Sequence, residues 1–484
     1  MFKTCLAIGT SKAVTRLVST LKLGAGTSLP GKLARKIEPG VLSSLGGQIQ
    51  KEIIAVSGTN GKTTTCGLLA QFLRQAQQRV VHNQLGANMV PGITAALLNQ
   101  SSLNGKLIAD YGVLEVDEAS LKGVAKELII DRVLVTNLFR DQLDRYGELD
   151  TTARLIKEGI ETSSIRSDTP SRPRHLILNA DDPLVAGIPL LKTAASQTRT
   201  LPHGKTHYYG VRQVSYPFAS AETSGPKASE EVKFNQESAA CPLCSGELHY
   251  DYPIYGHLGH YHCKACDYKR PEPSVEAENV IIRPDGSTVF LKVGHKRLSI
   301  ELNLPGLFNV YNFLAAVAVL ADLDIPLAVL QPALDEYQSV FGRAEKTVLH
   351  GKNALVMLIK NPVGASEVIK LVAGDPKGRL WIALNDNYAD GRDVSWIWDA
   401  QFELIAAAGH NKPITVSGGR ANDMAIRLKY AGIASERITV IPDLNRSILE
   451  AAQQTEANET LYLMPTYTAL LDLRPLLAAS SSRA

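Results

Sequence analysis

Six residues, Gly58-Thr59-Asn60-Gly61-Lys62-Thr63, bring together two glycines, a lysine and a threonine hydroxyl. Glycines let a backbone curl until its N–H groups face one anion, and a lysine adds a mobile positive charge. The chemistry of such a loop is phosphate binding. Lys62 is placed to meet the β- and γ-phosphates, and the Thr63 hydroxyl to meet a Mg2+ ion. The general Walker spacing asks for glycine at position 56, where this chain has Val56, so that motif is incomplete. A second constellation is Cys241, Cys244, Cys263 and Cys266, spaced Cys-x2-Cys-x18-Cys-x2-Cys. Each knuckle offers two sulfurs from one tight turn, and four thiolates close a tetrahedral Zn2+ sphere with no position left for an activated water. The spacing therefore predicts a structural zinc ribbon, with a redox or disulfide pair as the other use of the sulfurs. His257, His260 and His262 lie between the knuckles as substitute ligands.

A phosphate loop works only where a strand hands over to a helix. "EIIAVS" (52–57) reads as a buried strand and 62–75 as the helix that follows. "YGVLEV" (111–116), "RVLVTN" (132–137) and "HLILN" (175–179) are further buried-strand candidates, with helical patterns between some of them. That alternation predicts an α/β fold with a parallel, doubly wound sheet. Residues 218–240 are polar and read as a surface linker, and "VIIRPDGSTVFLKV" reads as a hairpin across Pro-Asp-Gly. "NVYNFLAAVAVLADL" (309–323) is a helix. Past residue 345 the alternation resumes. "NALVMLIK", "LWIALN", "PITVSG", "RITVIP" and "TLYLMP" are strand candidates, with helices at 365–373, 420–431 and 444–454.

Bulk properties exclude several classes. The chain has 484 residues, 45% of them hydrophobic, which is enough for more than one packed core. A net charge of +3 excludes a general polyanion binder. Lys264, Lys269 and Arg270 of the cysteine segment are offset by Glu247, Asp251, Asp267 and Glu272, so it carries no basic stripe for nucleic acid. Six cysteines, four of them in the knuckles, suggest no disulfide framework and hence a reducing compartment. No run of eighteen apolar residues is present to span a membrane. Residues 1–37 hold seven basic residues and no acid, which reads as a basic helix packed on the domain, a transit peptide or a membrane-surface helix.

Further stretches extend the loop into a family resemblance. GTNGKT, "LEVDEASL", "TNLFRDQLDRYGELD", "LNADDP", "LPGLFNVYNFLAA" and "FGRAEK" occur in the order found in the Mur ligase superfamily of ATP-dependent peptide-bond-forming enzymes. The resemblance implies ATP held by Gly58, Thr59, Asn60, Gly61, Lys62 and Thr63, with Glu115 beside Thr63 as a Mg2+ ligand. It implies adenine contacts at Asn309 and Asn312 and a hinge arginine at Arg343. The departures are Gln142 in place of a histidine, Met357 and Lys360 near "MLIKNP", and the absence of a UDP-binding domain before the loop.

Short N-terminal sequence, inserted cysteines, "GTSLPGKLARKIEP", "GANMVPGITAAL" and "ALNDNYADGRDVSWIWD" together resemble one branch, the MurT family of ligase-like subunits of lipid II isoglutaminyl synthase. That resemblance implies a basic segment at 1–45, a central ATPase domain at 46–343 with its zinc ribbon insert at 238–273, and a C-terminal α/β domain at 344–484. It implies ATP-dependent amidation of the α-carboxylate of D-isoglutamate in the lipid II stem peptide, through an acyl phosphate. Ammonia would come from a GatD-type glutaminase partner, in the cytoplasm at the inner face of the membrane. Within the crowded acids Asp386, Asp390, Asp393 and Asp399, it implies that one carboxylate serves the partner's Cys–His pair. Asp393 is the first candidate, with Asp390 and Asp399 behind it. A capping and turn cluster is the other reading of those acids, and a folylpolyglutamate-synthetase-like ligase acting alone is the other reading of the chain.

Overall fold

A computed structural model describes residues 2–20, 28–83, 87–139, 149–165, 174–191, 204–216, 240–283, 285–338, 343–375 and 377–481. Before the cysteine segment come β1 (Glu52–Ser57), β2 (Val80–His82), β3 (Tyr111–Glu115), β4 (Arg132–Val135), β5 (Arg174–Asn179), β6 (Gly204–Val211) and β7 (Val214–Ser215). Next are β8 (Leu248–Tyr255), β9 (Leu258–Cys263), β10 (Val275–Arg283), β11 (Gly286–Val293) and β12 (Lys296–Leu302). The last group is β13 (Arg343–Leu349), β14 (Lys352–Met357), β15 (Arg379–Ala383), β16 (Ile414–Ser417), β17 (Ile438–Val440) and β18 (Leu461–Pro465).

The first sheet runs β12-β11-β10-β6-β5-β4-β1-β3-β2, with β7 added beside β10. From β10 to β2 the neighbours are parallel. The sequence pattern anticipates that part. It also anticipates the antiparallel hairpin of β10 and β11, but not β12 as its extension. A hairpin whose closing pair is Arg283 and Gly286 returns antiparallel, because a parallel return needs a long crossover. Both faces of the parallel part are covered, as the apolar runs require. Ile54 and Val56 of β1 join Cys66, Leu69 and Phe72 of the helix Lys62–Gln75 and Phe313 of the helix Leu307–Asp322. Ile53 and Ala55 point the other way, into a core shared with Leu97, Val124, Ala7, Ile8 and Ala34. The basic N-terminal residues, apart from Lys22 outside the described residues, therefore belong to helices, Phe2–Thr20 and Leu29–Ile37, that bury one side on this domain. No helix among the described residues is long and apolar enough to cross a membrane.

The second sheet runs β13-β14-β18-β15-β16-β17 and is parallel except at β13–β14. Leu355, Met357, Leu380 and Ile382 enter the core on one of its faces, Val356 and Trp381 the core on the other. β8 and β9 form a separate antiparallel ribbon. The linker expected at 218–240 lies outside the described residues up to 239.

Where the parallel strands begin, opposite the phosphate loop, a charge cluster ties helix to sheet. Arg132 opens β4 and bonds Glu52 of β1 and, at 2.8 Å, Asp322 of the helix Leu307–Asp322. His175 and His207 also lie at 2.7 and 2.8 Å from Asp322. Burial alone would raise the Asp322 carboxyl, but the His207 hydrogen bond and the Arg132 charge outweigh it and hold the group well below the usual carboxylate range. Burial lowers His175 and keeps the ring neutral. Asp322→Asn leaves Arg132 buried with half its compensation, and should cost about 3–5 kcal/mol of stability in urea unfolding. A depressed carboxylate contributes stability in full above its unfolded pKa of about 3.9 and loses it as the pH falls further. A lowered histidine loses its contribution below about 6.5, where only the unfolded chain takes up the proton. Stability should therefore decline in two steps on acidification, and Asp322→Asn should make the lower one smaller.

Candidate active site and four-cysteine cluster

β1 ends at Ser57 and the next helix begins at Lys62, so the chain turns within Gly58–Gly61. Gly58 and Gly61 take φ of +117° and +84°, where a side chain is strained. A Cβ on Gly58 would stand 2.4 Å from Thr136 Oγ1, and one on Gly61 1.9 Å from Asn312 Oδ1. The segment after β4 holds the loop from outside. The Asn60 N–H donates to Asn137 Oδ1 at 2.9 Å, Thr136 Oγ1 donates to the Asn60 carbonyl at 2.7 Å, and the Thr59 N–H donates to the Asn137 carbonyl at 2.8 Å. No side chain caps the helix, so its first N–H groups and its positive end remain for an anion.

Lys62 Nζ lies 3.0 Å from Glu118 Oε1. Burial alone would lower Lys62, but Glu118, Glu115 and Asp117 raise it above its ordinary value, so the charge is kept. Burial pushes Glu118 up by more than Lys62 draws it down. A phosphate oxygen arriving on the loop competes with Glu118 for the same ammonium. Glu115 ends β3 and is 3% exposed. Asn83 fixes its backbone on both sides, at 2.7 and 2.8 Å, and Asn88 donates to its Oε1 at 3.3 Å. Its Oε2 is buried without a hydrogen-bond partner. A buried bare carboxylate oxygen is costly unless a cation meets it. Mg2+ fits there, because it takes hard oxygen ligands and the buried Thr63 lies on the adjacent helix turn.

Other expected residues fall as follows. Asn312 is buried against Gly61 and lies 3.4 Å from Thr65 Oγ1, and its amide donates to Asn309 Oδ1 at 3.2 Å. Asn309 in turn donates to the Pro305 carbonyl at 2.8 Å. Arg343 opens β13 opposite Met357, and its side chain and Gln142 lie outside the described residues. Glu118, Asn83, Asn88 and Asn137 were not singled out. Glu118 stands three residues past Glu115 in a stretch already conspicuous, whereas the asparagines carry no signal without the fold.

Cys241 Sγ lies 3.7 Å from Cys266 Sγ and Cys244 Sγ 3.6 Å from Cys263 Sγ, and all four sulfurs fall within 4.8 Å of one another. Disulfide sulfurs would be about 2.05 Å apart. A tetrahedral ion with sulfur at about 2.3 Å sets its ligands about 3.8 Å apart, so the cluster fits a metal. The Gly246 and Ala265 N–H groups donate to Cys244 and Cys263 at 3.4 and 3.3 Å. The Ala265 N–H draws the Cys263 thiol down to about 7, toward the thiolate that a metal needs. The intervening histidines are engaged elsewhere: His260 lies 2.9 Å from the Val211 carbonyl, His262 2.9 Å from Asp251 and His257 3.3 Å from Asp182.

The acidic stretch separates into different roles. Asp390 is buried, and its two oxygens accept from the Thr468 N–H at 2.7 Å and the Thr468 hydroxyl at 2.5 Å. These bonds anchor its loop to the last helix. Asp393 is exposed and accepts from the Ser395 N–H at 2.8 Å, and its hydrogen bonds to Ser395 lower its pKa. Exposed Tyr388, Trp398 and Tyr430 lie in or beside this region, with Trp398 and Tyr430 in edge contact.

A parallel-sheet domain with this loop at its strand ends, followed by a smaller α/β domain that reaches back to it, defines the Mur ligases, a class of ATP-dependent ligases. The Mur ligase middle domain matches residues 56–235, and the MurT ligase C-terminal domain matches residues 358–470. The Mur-type ligase MurF from Acinetobacter baumannii superposes with a TM-score of 0.63 at 16% identity, over 95% of this chain and 81% of that one. The lipid II isoglutaminyl synthase (glutamine-hydrolyzing) subunit MurT of Streptococcus pneumoniae is 34% identical over 95% of this chain and 94% of its own length. Its counterpart in Staphylococcus aureus is 35% identical over 92% and 91%. The chain belongs to the MurT family.

Cys263→Ser should release the metal from the cluster and lower the thermal midpoint of the protein. Elemental analysis after dialysis, read beside thermal unfolding, checks both, and full metal retention would refute the four-sulfur site.

Proposed function

We propose that this chain is the amide-forming subunit of a lipid II isoglutaminyl synthase. The substrate is the α-carboxylate of D-isoglutamate in the stem peptide of membrane-borne lipid II, and the product is its carboxamide. The observation that carries this reading is the likeness to the two named synthase subunits over more than nine-tenths of the chain. The intact loop and the bare Glu115 oxygen support it.

Chemically, a carboxylate oxygen attacks the γ-phosphorus of ATP and ADP leaves, which turns an inert carboxylate into an acyl phosphate. Ammonia then adds to the acyl carbon and phosphate departs with the C–O electron pair. Negative charge spreads over the transferred phosphoryl oxygens, and Lys62 with the loop N–H groups stabilises it there. Mg2+, held by Thr63 and Glu115, would neutralise further phosphate charge. Zn2+, if held by Cys241, Cys244, Cys263 and Cys266, would be structural and would supply no reaction.

Ammonia needs a separate source. Cys66 lies fully buried in the core, Cys5 sits on the first helix, and the other four cysteines form the cluster. None is set in a nucleophile turn, so a GatD-type glutaminase would hydrolyse glutamine. Asp393, exposed in a stretch that also holds the exposed Tyr388 and Trp398, is the acid proposed to orient that partner's histidine, with Asp390 and Asp399 behind it.

The test is co-expression with the glutaminase and mass spectrometry of lipid II for conversion of carboxyl to carboxamide. Lys62→Ala should reduce amidation at least about a hundredfold. Asp393→Asn should cut glutamine-driven amidation by more than about tenfold while amidation from free ammonium persists. Unchanged lipid II in the presence of an active, co-purifying glutaminase would overturn the reading.

A further inference from the structure

The far end of the cysteine ribbon does something that a metal clip does not require. β9 has six residues, so it carries the chain roughly 17 Å away from the Cys263 knuckle. Its turn, Tyr255–Leu258, ends inside the protein. His257 is 0% exposed and Tyr255 3%. Gly256 takes a φ of +58°, and a Cβ there would stand 2.8 Å from Phe139 Cε1 and 3.0 Å from Val363 Cγ1. The Phe139 ring is flanked by the His257 ring, at 4.8 Å between centroids, and the Tyr255 ring at 5.6 Å.

Phe139 is also a support of the phosphate loop. Its N–H donates to Thr59 Oγ1 at 3.0 Å, and the same hydroxyl lies 3.2 Å from its carbonyl. The residue before it, Leu138, donates its N–H to Asp182 Oδ2 at 2.8 Å, and His257 Nε2 lies 3.3 Å from that same oxygen. Tyr255 packs edge-on to Tyr311, in the helix turn that holds Asn309 and Asn312. Val363 comes from the second domain, two residues past Asn361, whose amide donates to Asn60 Oδ1 at 3.2 Å. One buried turn thus abuts the supports of the loop from three directions.

We propose that the ribbon tip is a positioning element for the nucleotide loop, with His257 as its positioning residue acting through Phe139 and Asp182 on Thr59. This rests on the ATP-dependent reading above. A small displacement of Phe139 moves the Thr59 hydroxyl, and with it the amides that must converge on phosphate, and misplacement on that scale is costly to binding and catalysis. The four-cysteine cluster anchors one end of the ribbon, and the phosphate loop's supports meet the other.

The experiment measures the affinity of the full-length chain for ADP by calorimetry and the KM for ATP in the complex. His257→Gln keeps a polar side chain of similar length but loses the edge-on ring contact with Phe139. It should raise Kd and KM roughly tenfold, with metal content and kcat near wild type. Phe139→Leu, which keeps the apolar contact, is the second variant and should give the same rise. Lys264→Ala, on the exposed knuckle surface, should change neither constant. A purely structural role would lower the thermal midpoint and leave the affinity of the folded protein unchanged, and that result in both variants overturns the proposal. A wild-type chain that binds no nucleotide would instead overturn the ligase reading on which it rests.

Discussion

A loop that binds phosphate with bare backbone N–H groups cannot hold itself. The N–H groups at the helix start must be left without internal partners, so the curl is fixed from outside through the loop's other groups, the Thr59 and Asn60 N–H groups among them. Here Thr136 and Asn137, at the end of the neighbouring strand β4, hold Thr59 and Asn60. The rest of the central domain follows from that need. β1 and β4 must be adjacent and parallel for their ends to meet, and β3 must lie on the other side to bring Glu115 beside Lys62. Helices on both faces keep these strand ends in register by burying every alternate residue of β1.

Most of this frame was legible from residue pattern. Apolar runs of five or six residues between helical periods place β1, β3, β4 and β5 to within a residue or two, since burial on both faces leaves few other uses for such runs. The second domain is legible for the same reason. What the pattern misses is pairing across long separations. The bond between Asp390 and Thr468 and the partnership of Lys62 with Glu118 both depend on folded geometry. No local propensity encodes them. Asp390 illustrates the difference: the sequence offers a partner acid or a capping and turn cluster, and only the fold shows its carboxylate accepting from Thr468 in the first turn of the last helix.

The cysteines show the opposite case. Spacing alone specifies the four-sulfur cluster, because two tight turns carrying two thiols each can converge on little else. Yet the spacing is silent about where the hairpin between them goes. Eighteen residues of ribbon could have projected into solvent, and instead its turn enters the junction beside the phosphate loop.

The bond between Asn361 and Asn60 joins the two domains through the loop itself. Asn361 also caps its own helix by accepting from the Gly364 N–H, so it cannot shift without disturbing that helix start. The curl of the loop and the relative posture of the domains are therefore one equilibrium rather than two. Whatever free energy a bound nucleotide spends in ordering the loop is returned as a bias toward the joined posture. By reciprocity, an acceptor or partner that draws the domains together tightens the grip on nucleotide by the same factor.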